Sequence, residues 1–229
     1  MLQIIPAEKR YFSDMGNMNS HFLFSFADYY DPSNTHFWNL RVFNDDFLEG
    51  NSGFGMHPHK YYEIMTIMLE GTITHKDSLW NHIKVTKNQI QVTDTATGIS
   101  HSEINAENED LKLYQIWFSP DDMSPKPKYF TATFQDQDFE NKLAILGTGL
   151  QEHPNSLTSK LSVERWIFDV GKTLEIDYNK YVFLYVTSWK IKLPNWEIIN
   201  SKDQLRAFGE EKITLTFLEK TDFILIQSE

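Results

Sequence analysis

The 229 residues suffice for one large β domain or for two of about 110 residues each. A formal net charge of −11 and a pI near 5.2 would repel a phosphate backbone or an anionic membrane face, which sets nucleic acid and membrane aside as partners. The absence of cysteine excludes disulfides, thiolate metal sites and cysteine nucleophiles, so any metal must be held by histidine, carboxylate or water.

In chain order, the opening MLQIIPAEKRYF has a short apolar run followed by charge, too short for a signal-peptide core. No run of about 18 apolar residues follows it, and a soluble cytoplasmic protein is expected. From Leu40 to Phe118 the runs NLRVF, NDDFLEGNSGFG, EIMTIMLEGTITH, KDSLWNH, IKVTKNQIQVT and LKLYQIWF are separated by turn signals and read as strands. With aromatics at 14%, the composition suits pleated, half-buried surfaces. The segment SPDDMSPKPKYF, Ser119 to Phe130, is proline-rich and charged and reads as an extended linker. The expected division is therefore residues 1–124 and 125–229. Beyond it LSVERWIFDV, KTLEIDY, YVFLYVTSWKIKL, WEIIN, KITLTFLE and DFILIQ read as strands, while DQDFENKLAILGTG and SKDQLRAFGEE are expected to form short helical turns. The fold class is all-β, a barrel or sandwich in the first part and again mostly strand in the second.

Two short pairs carry chemistry: His57 and His59 in GMHPHK, and His101 and Glu103 in GISHSE. Residues two apart on a strand share a face, so each pair can aim both side chains into one interior. Pro58 removes a ladder N–H and suits a strand edge or barrel mouth. A lone HxH arises by chance in roughly one such chain in three, but HxH and HxE together, each preceded by a glycine (Gly55, Gly98), point to one divalent ion with open coordination positions. Glu63, four residues past His59, has the same parity, so spacing alone does not choose between Glu63 and Glu103. His21, His36, His75, His82 and His153 lack such pairing and read as surface or structural histidines. Phe54, Met56, Met65 and Met68 read as core filling or pocket lining. The acidic pairs at 45–46 and 121–122 read as solvated loops.

The stretches HFLFSFADYYDPSN, LRVFNDD, GFGMHPHKYYEIMTIMLEGTITHKDS, TGISHSE and LYQIWFSP resemble the pirin family, in particular its bacterial quercetinase-like members, over roughly Phe12 to Pro120. The resemblance implies a bicupin of two jelly-roll barrels, with a metal in the first on His57, His59, His101 and Glu103 and none in the second. It implies iron as the metal, with manganese, nickel, cobalt, copper or zinc compatible, and dioxygen-dependent opening of a flavonol such as quercetin with release of carbon monoxide. Glu103 would then act as both ligand and base for the substrate hydroxyl. It also implies an alternative, a non-enzymatic iron-binding regulator of a protein partner. A sugar or small-acid isomerase would want basic residues near the metal, where Lys60 is the one close candidate. The chain departs from relatives at KNQ, at DTATG and at Trp80, where a glycine is common; Trp80 is expected to narrow or cover the pocket mouth.

Overall fold

The computed structural model describes residues 1–122, 124–178, 181–209 and 211–228, the side chains at 177, 178 and 211 excepted. Its strands run β1 (Leu2–Ile5), β2 (Tyr11–Asp14), β3 (Met18–Phe22), β4 (Leu40–Leu48), β5 (Gly53–His59), β6 (Glu63–Glu70), β7 (Thr72–Asp77), β8 (His82–Thr86), β9 (Gln89–Asp94), β10 (Ile99–Ile104), β11 (Leu111–Phe118) and β12 (Lys128–Thr133). After the short helix α1 (Asp136–Phe139) come β13 (Ala144–Thr148), β14 (Leu161–Phe168), β15 (Thr173–Tyr178), β16 (Tyr181–Ser188), β17 (Ile191–Lys192), β18 (Ile198–Ile199), β19 (Gln204–Phe208), β20 (Glu211–Phe217) and β21 (Thr221–Ser228). The all-β expectation holds. No helix among the described residues is long and apolar enough to cross a membrane.

The chain divides into two compact units, Arg10–Phe134 and the combination of Met1–Lys9 with Gln135–Glu229. This differs from the division at 124/125 in two ways. Lys128–Thr133, assigned to the linker and second domain, is β12 and pairs with β9 of the first unit. The first nine residues carry β1, which pairs with β19 of the second. The stretch SKDQLRAFGEE is corrected from helical turn to strand: β19 is hydrogen-bonded on both sides, to β1 and β16, and those ladders outweigh its helix-forming Gln, Leu, Arg and Ala. Glu210 in that stretch lies outside the described residues.

Each unit is a pair of antiparallel sheets, the jelly-roll arrangement of cupins, rather than a barrel closed by hydrogen bonds. In Arg10–Phe134 a seven-stranded sheet, β12-β9-β6-β11-β4-β3-β2, accompanies a four-stranded one, β5-β10-β7-β8. Leu48, Met68, Ile73, Val85, Leu111 and Leu113 form an apolar cluster in this unit. Further along the same strands the inward positions of the large sheet turn polar. Asn44, Gln115, Thr66 and Gln91 are directly paired across β4, β11, β6 and β9 and so share one face. In the other unit the core gathers Val182, Leu184, Val186, Leu205, Leu215, Phe217, Phe223 and Leu225.

Candidate metal centre

The small sheet sets the geometry. His57 on β5 pairs directly with His101 on β10, which pairs in turn with Asp77 on β7; in the next row Phe54, Glu103 and His75 stand side by side. Between these rows β5 has one residue more than β10, a bulge at Gly55 and Met56. The bulge reverses the alternation, so that Phe54 and His57, three apart in sequence, both line the same cavity. Gly55 is thereby left with open space beside its Cα, whereas a Cβ on Gly53 would meet the Glu103 carbonyl at 2.4 Å.

His57, His59 and His101 bring one nitrogen each to within 4.8 Å of one another. The His57 and His101 Nε2 atoms stand 3.1 Å apart. Two nitrogens bound to one ion at about 2.1 Å would be roughly 3.0 to 3.4 Å apart at right-angled to tetrahedral geometry, so this spacing fits. His57 donates from Nδ1 to the Gly55 carbonyl at 2.6 Å, which fixes the tautomer whose Nε2 carries the lone pair. Burial, reinforced by the neighbouring imidazoles, lowers His59 to about 4 and His101 to about 3, so both rings are neutral and available to a cation near neutral pH. The donor set therefore fits a divalent metal ion.

Glu103 is placed differently from the simplest expectation. It joins His101 and His75 in a second group within 4.8 Å rather than the three-histidine group. The large sheet's polar row holds it there. Gln91 and Thr66 donate to Oε1, and Gln115 donates to Oε2 at 2.8 Å. Tyr129 in turn donates to Gln91 Oε1 at 2.9 Å. Glu63, the other candidate, is buried but belongs to neither group and does not line the cavity.

All four residues, His57, His59, His101 and Glu103, open on a cavity of about 220 Å³. Phe22, Phe26, Phe54, Ile64 and Trp117 make much of its wall apolar, and the His59 ring packs edge-on to Trp117 at 4.7 Å. Asn44, Asp46 and Gln115 supply polar groups from the large sheet.

Several sequence readings change here. Asp45 and Asp46 are on β4, not in a solvated loop: Asp45 pairs with Arg10 at 3.4 Å, and Asp46 is buried with its side chain on the cavity wall. Burial, with the charges of Asp45 and Glu103, raises Asp46 to about 7, against an opposing effect of Ser20 opposite it on β3. Of the two readings for His75, surface or structural, the structural one holds: it is fully buried, 2.9 Å from Asp77 Oδ2 through Nε2, and stands beside the cluster with its ring 5.4 Å from that of His101. The signal was present in THKD, where His75 and Asp77 repeat the two-residue spacing of the other pairs. Trp80 is 95% exposed on the turn after β7 and does not line the cavity, so it does not narrow it. Of the apolar candidates Phe54 lines the cavity, Met65 and Met68 are core, and Met56 is exposed.

Comparison with known proteins gives a consistent neighbourhood. Residues 6–118 match the pirin family. A Zymomonas mobilis protein provisionally named a quercetin 2,3-dioxygenase is 39% identical over 225 residues, covering 96% of this chain and 95% of its own. The quercetin 2,3-dioxygenase of Escherichia coli K12 is 33% identical over 218 residues, covering 94% and 93%. The crystal structure of the E. coli bacterial pirin YhhW in complex with nickel(II) superimposes with a TM-score of 0.92 at 29% identity, over 100% of this chain and 99% of that one.

Proposed function

The chain belongs to the pirin family, and from that membership and the geometry of its first unit we propose that it is a metal-dependent dioxygenase that opens the ring of a flavonol such as quercetin or a related enol-bearing aromatic. The observation that carries this reading is the convergence of three imidazoles, with a carboxylate close by, on one wall of a largely aromatic cavity. In it His57, His59, His101 and Glu103 hold the ion. Iron is our first assignment, and manganese, nickel, cobalt, copper and zinc suit the same donors. When bound, the ion supplies Lewis acidity and a place where substrate oxygen and dioxygen meet.

The chain's own residues do the rest. Phe22, Phe26, Phe54 and Trp117 offer ring faces and edges to a flat aromatic substrate and keep water away from it. Glu103 takes the proton of the substrate hydroxyl next to the carbonyl, which raises electron density on the ring to be opened. Its hydrogen bonds from Gln91, Thr66 and Gln115 fix the carboxylate on the cavity wall, so the proton acceptor is oriented before substrate arrives.

Two measurements test this. Iron-loaded protein mixed with quercetin should consume dioxygen and release carbon monoxide; absence of both would remove the flavonol assignment and leave the metal site standing. Metal analysis of protein purified without added metal should find about one ion per chain, and none in the His57→Ala, His101→Ala double variant. Equal metal content in the double variant would remove the site itself.

A further inference from the structure

Behind His101 lies a buried pair that plays no part in the reading above. Asp77, at the end of β7, closes the following turn: its Oδ1 accepts from the backbone N–H of Leu79 at 2.8 Å and of Asn81 at 3.1 Å, and its Oδ2 from the Asn81 side chain at 2.8 Å. Desolvation would raise its pKa, but these bonds and the one from His75 hold it below the ordinary carboxylate value, so it is an anion that only accepts. His75 stands 2.9 Å from Oδ2 through Nε2. That nitrogen must therefore carry the hydrogen, and in the neutral ring Nδ1 is a bare acceptor. Tyr129 stacks on His75 at 4.4 Å and 20°, holding the ring in plane.

His101 presents the complementary group. Its Nε2 faces His57 Nε2, so binding an ion there leaves the hydrogen on Nδ1. The Nδ1 atoms of His75 and His101 are both buried and both without a hydrogen-bond partner, on rings 5.4 Å apart. Glu103, the other neighbour of His75, is already supplied by Gln91, Thr66 and Gln115. We propose that His75 is a positioning residue for the metal, accepting the Nδ1–H of His101 when His101 binds through Nε2, while Asp77 fixes the His75 tautomer that makes this possible. The inference rests on the metal reading and adds to it a three-residue chain, Asp77–His75–His101, that orients one ligand and makes its ring a stronger donor.

The test uses the full-length chain, ¹⁵N-labelled, with zinc as the probe. Zinc affinity is measured by competition with a chromophoric chelator, and imidazole N–H signals are read in the loaded protein. The parent should show a slowly exchanging Nδ1–H on His101. His75→Phe keeps a ring against Tyr129 but offers no acceptor; affinity should fall about 10- to 100-fold and the signal should be lost to exchange. Asp77→Asn can still accept the turn's N–H groups, yet its amide donates to His75 Nε2, moves the ring hydrogen to Nδ1 and sets two donors face to face, so a similar loss is expected. His75→Gln, which can accept through Oε1, should recover part of the affinity. Parent-like affinity in folded His75→Phe and Asp77→Asn would overturn the proposal and reduce His75 to packing. Should His75→Phe fail to fold, Asp77→Asn decides alone. Failure of the parent to bind zinc at this site sinks the metal reading and this inference together.

Discussion

At the residue scale, Asp46 is the buried charge whose consequences are most directly measurable. Its carboxyl titrates at about 7 in the folded protein, against an ordinary 3.8, chiefly because burial disfavours the anion. The folded chain therefore binds a proton that the unfolded chain has already lost over that window. The stability linked to this group is complete below the ordinary value and is lost as pH rises through about 7. Asp46→Asn removes the effect with little change of shape. The variant should be more stable than the parent by a few kcal/mol at about pH 8, the gain shrinking to near zero at about pH 4. Urea unfolding of both metal-free proteins at the two pH values checks this. His59 and His101 act in the opposite sense: their lowered values make stability fall as pH drops below 6.5, but they do so in parent and variant alike and cancel in the difference. A gain independent of pH would mean that Asp46 is not the titrating group. The histidines of the cluster were legible in the sequence because each belongs to a pair at strand spacing, His57 with His59 and His101 with Glu103. Asp46 was not, since an acidic pair looks solvated until its strand is seen to face inward.

At the element scale the pairing of β5 with β10 is what turns two sequence motifs into one cluster. Strand parity predicts which side chains share a face, and it correctly put His57 with His59. It does not reveal the extra residue at Gly55 and Met56, which depends on pairing with a strand more than forty residues away and brings Phe54 inside. The two glycines on β5 separate these requirements. Gly53 has φ +144, pairs with Ile104, and an added Cβ would sit 2.4 Å from the Glu103 carbonyl oxygen and 2.7 Å from the Ile104 Cα. Those atoms are backbone and cannot yield without moving β10. Gly53→Ala should thus destabilise the unit by about 2 to 4 kcal/mol and weaken metal binding at least tenfold. Gly55→Ala has open space around the new methyl group and keeps the carbonyl that fixes His57, so it should stay within about 0.5 kcal/mol of the parent and bind metal equally well. Thermal unfolding and a metal titration on the two variants distinguish them. Equal damage from both would show that the glycine before the HPH run matters for a reason other than strand approach.

At the scale of the whole molecule the division of labour does not follow chain order. Alternating strand patterns made the all-β class and most strands of both units readable, though not β1 to β3 or β13, whose AILGT reads as part of a helical turn, and the proline-rich stretch after Pro120 gave an approximate boundary. Membership of the first nine residues was not readable, because LQII is an ordinary short apolar run whose partner, Gln204–Phe208, lies about two hundred residues away and itself has the composition of a helical turn. The ladder joins Leu2 through Ile5 to Ala207 through Gln204. Phe208 donates its N–H to the Met1 carbonyl at 2.8 Å, the Ala7 N–H is received by Asp203 at 2.8 Å, and Ile4 packs on the apolar cluster of that unit. Removing residues 1–9 would strip β19 of one of its two neighbours and turn it into an unprotected edge. A chain beginning at Arg10 should therefore bind metal as the full chain does, since every residue of the cluster and its supports lies in Arg10–Phe134. Its Gln135–Glu229 unit should lose about 2 to 4 kcal/mol and become prone to self-association. Metal titration, hydrogen exchange along β16 and β19, and light scattering test this together. Loss of metal binding with intact exchange protection in β19 would reverse the assignment of these residues to the second unit's stability.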